Sequence, residues 1–191
     1  IPRRVIGAKA RVGIGTALAV TKRKKRGVTM KIYLGLDPGA TGAIGVIWPD
    51  GRVSVYDLND SPHDTWDTLN EITAGGECSE YCIAVLESVG ATPQMGVTSA
   101  FNFGGSARSL EMALIAAGVH YSRVSPAKWK KGVFDGDLYP RGREQAEQKQ
   151  AARDQARRLF PAAADQLKRV KDAGRAEALL MAEYARRNDK G

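Results

Sequence analysis

The sequence predicts an α/β fold in which a mixed β-sheet is flanked by helices. From residue 31, three β-branched and apolar runs follow one another across short Gly- and Pro-containing turns, a pattern typical of an antiparallel meander. After residue 60, helical and strand patterns alternate, and a meander followed by such alternation predicts a mixed sheet. The length of 191 residues and the 43% apolar content suit one domain with a full core.

The predicted elements of the first half are three strands, a helix and a fourth strand. The meander strands are expected at residues 31–36, 43–48 and 52–58, with Pro49-Asp50-Gly51 as the second turn. Ser61-Pro62 opens a predicted helix that runs through Ile72, because serine caps helices and proline suits their first turn. A buried type of strand follows at 82–86 and ends in Glu87.

The second half begins with a Gly-rich loop and contains four helical segments and one strand. Apolar residues at helical spacing predict a helix at 106–117, and a strand is expected at 120–124. Ser125-Pro126 caps a short predicted helix that runs to residue 131. A loop at 132–142 precedes a long charged helix at 143–160, and the last helix is predicted at 172–187.

The formal charge of +8 is concentrated in the first 29 residues, which hold nine Lys and Arg and no acidic residue. The remaining 20 basic and 21 acidic residues leave the predicted domain, residues 30–191, nearly neutral. Three interpretations of residues 1–29 stay open: a tail added by cloning or by upstream translation, a native disordered basic arm that lies on phosphates, and an organelle-targeting peptide. No apolar run reaches the roughly 18 residues that span a bilayer, so we expect a soluble protein.

Two cysteines, Cys78 and Cys82, are the chain's full complement. A single pair four residues apart fits neither a disulfide framework nor a zinc ribbon. We therefore expect two reduced, buried thiols.

Four carboxylates stand where metal-dependent phosphate chemistry would need them. Asp37 ends the first strand before a Gly-rich turn, Glu87 ends the fourth, and Asp172 and Glu177 open the last helix among small residues. Two Mg²⁺ ions about 3.5–4 Å apart require three or four convergent carboxylates. Because five residues turn an ideal helix by about 140°, Asp172 shares a face with Glu177 only from the N-cap position. The alternatives are an ordinary N-cap for Asp172 and a solvated helix face for Glu177.

The order and spacing of several segments resemble a known family. These segments are Gly35-Leu36-Asp37-Pro38-Gly39 with Thr41-Gly42, Glu87, Phe101-Asn102-Phe103-Gly104-Gly105, residues 126–131, Leu159-Phe160-Pro161 and residues 171–179. Over residues 30–187 they resemble the RuvC-like Holliday junction resolvases of the RNase H superfamily, and most closely the phage and plastid-type members. The resemblance implies an RNase H-like mixed sheet flanked by helices and two Mg²⁺ ions, replaceable by Mn²⁺, on Asp37, Glu87, Asp172 and Glu177. The sequence departs from many bacterial members of the family at Gly174, where those members have an acidic metal ligand.

The same resemblance implies a homodimer that nicks a four-way DNA junction symmetrically. The compact domain best fits a phage or bacterial origin, so we expect the cytoplasm of a bacterium or a phage-infected cell; targeting to an organelle by the basic N-terminal segment is the alternative. The apolar face of residues 106–117 is a hypothetical dimer interface. Lys130 and Lys149 match positions that hold phosphates near the cut. Phe101 and Phe103, expected in the loop after Glu87, are candidates for stacking on an opened base, with burial as the alternative. We expect Trp129 in the core or an interface; the predicted positive surface comprises Arg123, Lys128, Lys131, Arg141 and Arg143.

Other functions remain open at this stage. A nuclease acting on other branched DNA or on RNA–DNA hybrids would use the same metal site, and a non-catalytic junction-binding protein would keep the basic surface. A sugar-kinase or actin-like ATPase also opens with a strand, an Asp and a Gly- and Thr-rich turn. Such a protein needs a second lobe and a second phosphate loop, for which this chain is too short.

Overall fold

The fold is seen in a computed structural model, which describes residues 30–39, 41–58, 61–88, 90, 95–134, 142 and 144–190. The arm at 1–29 and two predicted basic positions, Arg141 and Arg143, lie outside the described residues. Within the described part, no helix is long and apolar enough to cross a membrane.

A single five-stranded sheet forms the centre of the described part. Its strands are β1 (Ile32–Asp37), β2 (Ala43–Ile47), β3 (Val53–Asp57), β4 (Cys82–Glu87) and β5 (His120–Val124). They lie in the order β3-β2-β1-β4-β5. Strands β1, β2 and β3 pair antiparallel, whereas β4 pairs parallel with both β1 and β5. The predicted mixed sheet is therefore confirmed.

Helices cover both faces of the sheet. They are α1 (Pro62–Ile72), α2 (Val97–Ala116), α3 (Pro126–Val133), α4 (Gln145–Leu159) and α5 (Ala173–Asn188), with 3₁₀ turns at Ser79–Tyr81, Pro161–Leu167 and Val170–Asp172. Alternate residues of a strand point to opposite faces. Leu34 and Leu36 of β1 thus join one core with α1 and α2, while Val85 of β4 joins a second core with α3, α4 and α5.

Helix α5 lies directly against β1 and β2 because two strand glycines leave room for its backbone. A Cβ atom added at Gly35 would lie 2.0 Å from the Ala178 carbonyl oxygen, and one added at Gly45 would lie 2.5 Å from the Leu179 nitrogen. No side chain fits at such distances, so both positions require glycine. This contact fixes the start of α5 near the carboxyl end of β1.

The prediction that α2 begins at residue 106 is wrong. The helix begins at Val97, so Phe101 and Phe103 lie on its first turns and not in a loop. Gly104 and Gly105 favoured a loop, because glycine costs about 1 kcal/mol in a helix interior. Burial of Ala107, Leu110 and Leu114 against the sheet offsets that cost. Both cysteines are buried and reduced, as predicted.

Candidate active site at the carboxyl ends of the central strands

Asp37 and Glu87 lie side by side because they end adjacent parallel strands. The register pairs Leu36 of β1 with Leu86 of β4, so the next residue of each strand reaches the same edge of the sheet. The carboxyl ends of parallel strands are where α/β folds place ligands. The sequence predicted both strand ends correctly.

Helix α5 brings Glu177 to the same edge. A Cβ atom added at Gly174 would lie 2.1 Å from the Thr41 carbonyl oxygen and 3.1 Å from Oδ2 of Asp37. The first turn of α5 thus touches the β1–β2 connection beside Asp37, and Glu177 follows three residues later on the same side. Gly174 is the position where many relatives in the resembled family carry an acid, and here any side chain would collide with the turn.

The three carboxylates interact electrostatically. Burial, followed by the negative charges of Glu177 and Glu87, raises the pKa of Asp37 well above its ordinary value. The pKa of Glu87 is also raised, first by burial and then by Glu177, against the opposing effects of its Trp129 hydrogen bond and of Lys130. Charges that raise one another's pKa favour a cation between them.

Lys130 and Lys149 interact electrostatically with this cluster. The Nζ atom of Lys130 lies 3.6 Å from Oε1 of Glu177, and the two side chains are only 15% and 18% exposed. Both lysines lower the pKa of Asp37 and so partly offset the carboxylates. Lys149 comes from α4, which packs on α5.

Asp172 takes the N-cap position of α5, but its carboxylate is engaged by arginines. It accepts hydrogen bonds from the backbone N–H and the guanidinium of Arg169, and Arg175 lies 3.7 Å away. Burial would raise the pKa of Asp172, yet these partners lower it. Arg175 also pairs with Asp57 of β3, so the ionic partners of Asp172 lie toward β3 and the segment before α5. Asp37, Glu87 and Glu177 are brought together, whereas Asp172 is held by contacts of its own with Arg169 and Arg175.

Trp129 is a site residue that sequence reasoning placed only in the core or an interface. Its ring is fully buried, and its Nε1–H donates a hydrogen bond of 2.9 Å to Oε1 of Glu87. The available signal was its place directly before Lys130 in a short helix that begins immediately after β5. An aromatic ring with one polar atom, buried there, had to find an acceptor nearby.

The predicted aromatic and remaining basic residues differ in exposure. Phe101 is 80% exposed, whereas Phe103 is half-buried and its ring lies 3.4 Å from the Cβ position of Gly39. Both line a groove of about 740 Å³ between α1 and α2 that reaches Gly39, two residues beyond Asp37. The remaining predicted cations, Arg123, Lys128 and Lys131, are exposed.

The chemistry of the donor set fits Mg²⁺. Carboxylate oxygens are its preferred protein ligands, and a cation would relieve the repulsion that raises the pKa of Asp37. In the described ranges, no three acidic, histidine or cysteine side chains are close enough to enclose an ion. The three carboxylates therefore share an electrostatic site without forming a closed coordination shell.

Comparison with known proteins shows the fold. No protein-family model and no curated protein sequence matches the chain. A solved structure described as T. thermophilus RuvC in complex with Holliday junction substrate is 17% identical, with a TM-score of 0.53, and the match covers 83% of this chain and 96% of that one. A structure of Thermus thermophilus RuvC is 18% identical over 81% of this chain and 95% of its own, with a TM-score of 0.49. The first of these two likenesses shows that the chain has a RuvC-like, RNase H-like fold.

Proposed function

We propose that this protein is a Mg²⁺-dependent, structure-selective endonuclease that resolves four-way DNA junctions. The observation that carries the proposal is the meeting of Asp37, Glu87 and Glu177 with two lysines at one edge of the sheet. The shared fold supports it, since the similar structure is a RuvC described in complex with a Holliday junction substrate. The quoted motifs add the resemblance to phage and plastid-type resolvases.

In this proposal, Asp37, Glu87 and Glu177 hold two Mg²⁺ ions, and Mn²⁺ can replace them. When bound, such ions activate a water and stabilise the leaving oxygen of a phosphodiester. Asp172 is the proposed fourth ligand, and it must first exchange its Arg169 hydrogen bonds for the metal site. The products are a 5′-phosphate and a 3′-hydroxyl.

The surrounding residues bind and orient the DNA. Lys130 and Lys149 lie at the carboxylates and would hold the phosphate being cut, whereas the exposed Lys128 and Lys131 of α3 and Arg123 of β5 would contact flanking phosphates. Phe101, exposed at the mouth of the groove, would stack on an unpaired base at the branch point.

A homodimer is part of the proposal, because a two-fold protein matches a two-fold junction and cuts both strands symmetrically. Met112 and Ile115, exposed apolar residues of α2, would supply the interface, because the face of α2 that carries Leu110 and Leu114 is buried in the chain's own core. A cytoplasmic location in a bacterium or a phage-infected cell belongs to the same proposal.

Cleavage of a labelled four-way junction tests the proposal against linear duplex and an RNA–DNA hybrid, in Mg²⁺ and in EDTA. We expect paired symmetric nicks in the junction alone, lost in EDTA and in Asp37→Asn. Cleavage of the hybrid instead would keep the metal site and change the substrate. Junction binding without cleavage would identify a binding protein.

The basic segment at 1–29 is tested separately. If it lies on DNA phosphates, its deletion should weaken junction affinity and flatten the dependence of affinity on salt concentration. An unchanged salt slope would contradict a DNA-binding arm.

A further inference from the structure

Trp129 reaches the carboxylate cluster from a helix that supplies no carboxylate. Helix α3 follows β5 directly, begins at Pro126 after the N-cap Ser125, and packs on α5. Its position places Trp129 between the end of β4 and the apolar side of α5, in the same core as Val85, Leu179 and Leu180. The ring is therefore fixed from several sides.

The hydrogen bond to Glu87 determines where that carboxylate can point. Glutamate has three rotatable side-chain bonds, whereas a fully buried indole offers one N–H in one direction. The 2.9 Å bond holds Oε1 of Glu87. The second oxygen, together with the remaining lone pair of Oε1, stays available to a cation.

The next residue acts on a different carboxylate. Lys130 places its Nζ atom 3.6 Å from Oε1 of Glu177 and 5.2 Å from the centre of the Trp129 ring. Two successive residues of α3 thus contact the acids of β4 and α5. Trp129 contributes a neutral donor with a fixed direction, and Lys130 contributes a charge.

We propose that Trp129 is a positioning residue, whose indole N–H orients the Glu87 carboxylate for binding a divalent cation shared with Asp37 and Glu177. This inference rests on the proposed function, because it assumes that these carboxylates bind the cation. Removing a group that hydrogen-bonds a metal ligand typically lowers metal affinity or activity about tenfold to a hundredfold.

The test compares two Trp→Phe variants. Trp129→Phe removes the N–H from Glu87, and Trp48→Phe removes an equally short bond, from Trp48 Nε1–H to Ser54 Oγ at 2.9 Å, in the other core. Both variants lose a partly buried hydrogen bond and part of the volume of a buried ring. Titration calorimetry measures the affinity for Mn²⁺, and thermal unfolding in EDTA measures stability. Loss of Mn²⁺ binding in Asp37→Asn identifies the binding as that of the carboxylate site.

We expect both variants to lose thermal stability and only Trp129→Phe to bind Mn²⁺ about tenfold to a hundredfold more weakly. In cleavage assays, the Mg²⁺ concentration at half-maximal rate should rise while the rate at saturating Mg²⁺ largely recovers. Should Trp129→Phe not fold, a benzothiophene analogue of tryptophan at position 129 replaces the N–H by sulfur in a ring of nearly the same shape, and the same loss of affinity is expected.

The outcomes separate the two proposals. One outcome would overturn the positioning role alone: Asp37→Asn abolishes Mn²⁺ binding, but the variant with the altered Trp129 ring binds Mn²⁺ as tightly as the wild type. Equal weakening in Trp129→Phe and Trp48→Phe would also overturn it, because both would then act through stability. Failure of the wild-type protein to bind Mn²⁺ at Asp37 would overturn the metal site and the inference with it.

Discussion

Replacing Gly35 by alanine should separate α5 from the sheet and disturb the candidate site from a distance. The added Cβ atom would lie 2.0 Å from the Ala178 carbonyl oxygen and 2.4 Å from the Ala182 nitrogen. Both neighbours are helix backbone, so no rotation of a side chain relieves the contact. The strand must bend or the whole helix must move.

The size of the movement follows from the distances. Real Cβ atoms essentially never approach another heavy atom closer than 3.0 Å, so a contact of 2.0 Å requires a shift of at least 1.0 Å. Overpacking of a core costs about 1–3 kcal/mol, and a backbone contact belongs at the upper end or above it. For a domain of this size, about 3 kcal/mol lowers the melting temperature by roughly 6–12 °C. Since Glu177 moves with α5, a misplacement of about 1 Å can reduce the cleavage rate about a hundredfold.

Thermal unfolding by circular dichroism and junction cleavage measure the two effects. Gly104→Ala in α2 is the matched control, because its added Cβ atom meets nothing within 4 Å and a helical alanine should stabilise by about 0.5–1 kcal/mol. A folded Gly35→Ala protein that melts within a degree of the wild type would refute the direct packing of α5 on β1.

Three further predictions concern charge and exposure. In EDTA at pH 7, Asp37→Asn should melt a few degrees higher than wild type, because it removes a partly buried charge whose pKa is raised by desolvation and by its acidic neighbours; a lower melting temperature would contradict this reasoning. Phe101→Ala should weaken junction binding by about 1–3 kcal/mol without changing stability, whereas Phe103→Ala should also lower the melting temperature; equal stability loss would place both rings in the core. The pKa values of Asp172 and Glu183 are lowered by arginine partners despite burial, so the stability that they contribute is present above about pH 4 and lost as the pH falls. Glu183→Gln should flatten that acid limb in urea titrations, and an unchanged limb would exclude its contribution.

The strand-end positions of Asp37 and Glu87 could be predicted because they depend on local pattern. A β-branched run that stops at a carboxylate and a Gly-rich turn specifies a strand end without any knowledge of its neighbours. Their adjacency is a property of the sheet order, in which β1 lies beside β4 and each residue of β1 pairs with one 50 positions later in the sequence. Hydrophobic periodicity alone leaves that order open, and the resemblance to a family implied only a mixed sheet in which both acids share the metal ions.

The start of α2 and the surroundings of Asp172 could not be predicted in the same way. Gly104 and Gly105 carry a local preference against helix, and only the packing of later residues on the sheet reverses it. For Asp172 a local signal did exist, since Arg169 and Arg175 lie three residues on either side of it. Spacing does not determine whether an acid faces an arginine or a metal ion, because that choice depends on how the segment before α5 folds back.

The charge of the cluster links cation binding to the approach of DNA. When ionised, the carboxylates of Asp37, Glu87 and Glu177 outnumber the ammonium groups of Lys130 and Lys149 by one, three against two. That excess repels a phosphodiester and attracts a divalent cation, and one bound cation reverses its sign. Because the two lysines neutralise two of the three negative charges, the metal-free cluster carries only one excess negative charge. Two lysines among three acids thus suit the proposed function, in which the site would admit both a metal ion and a polyanion.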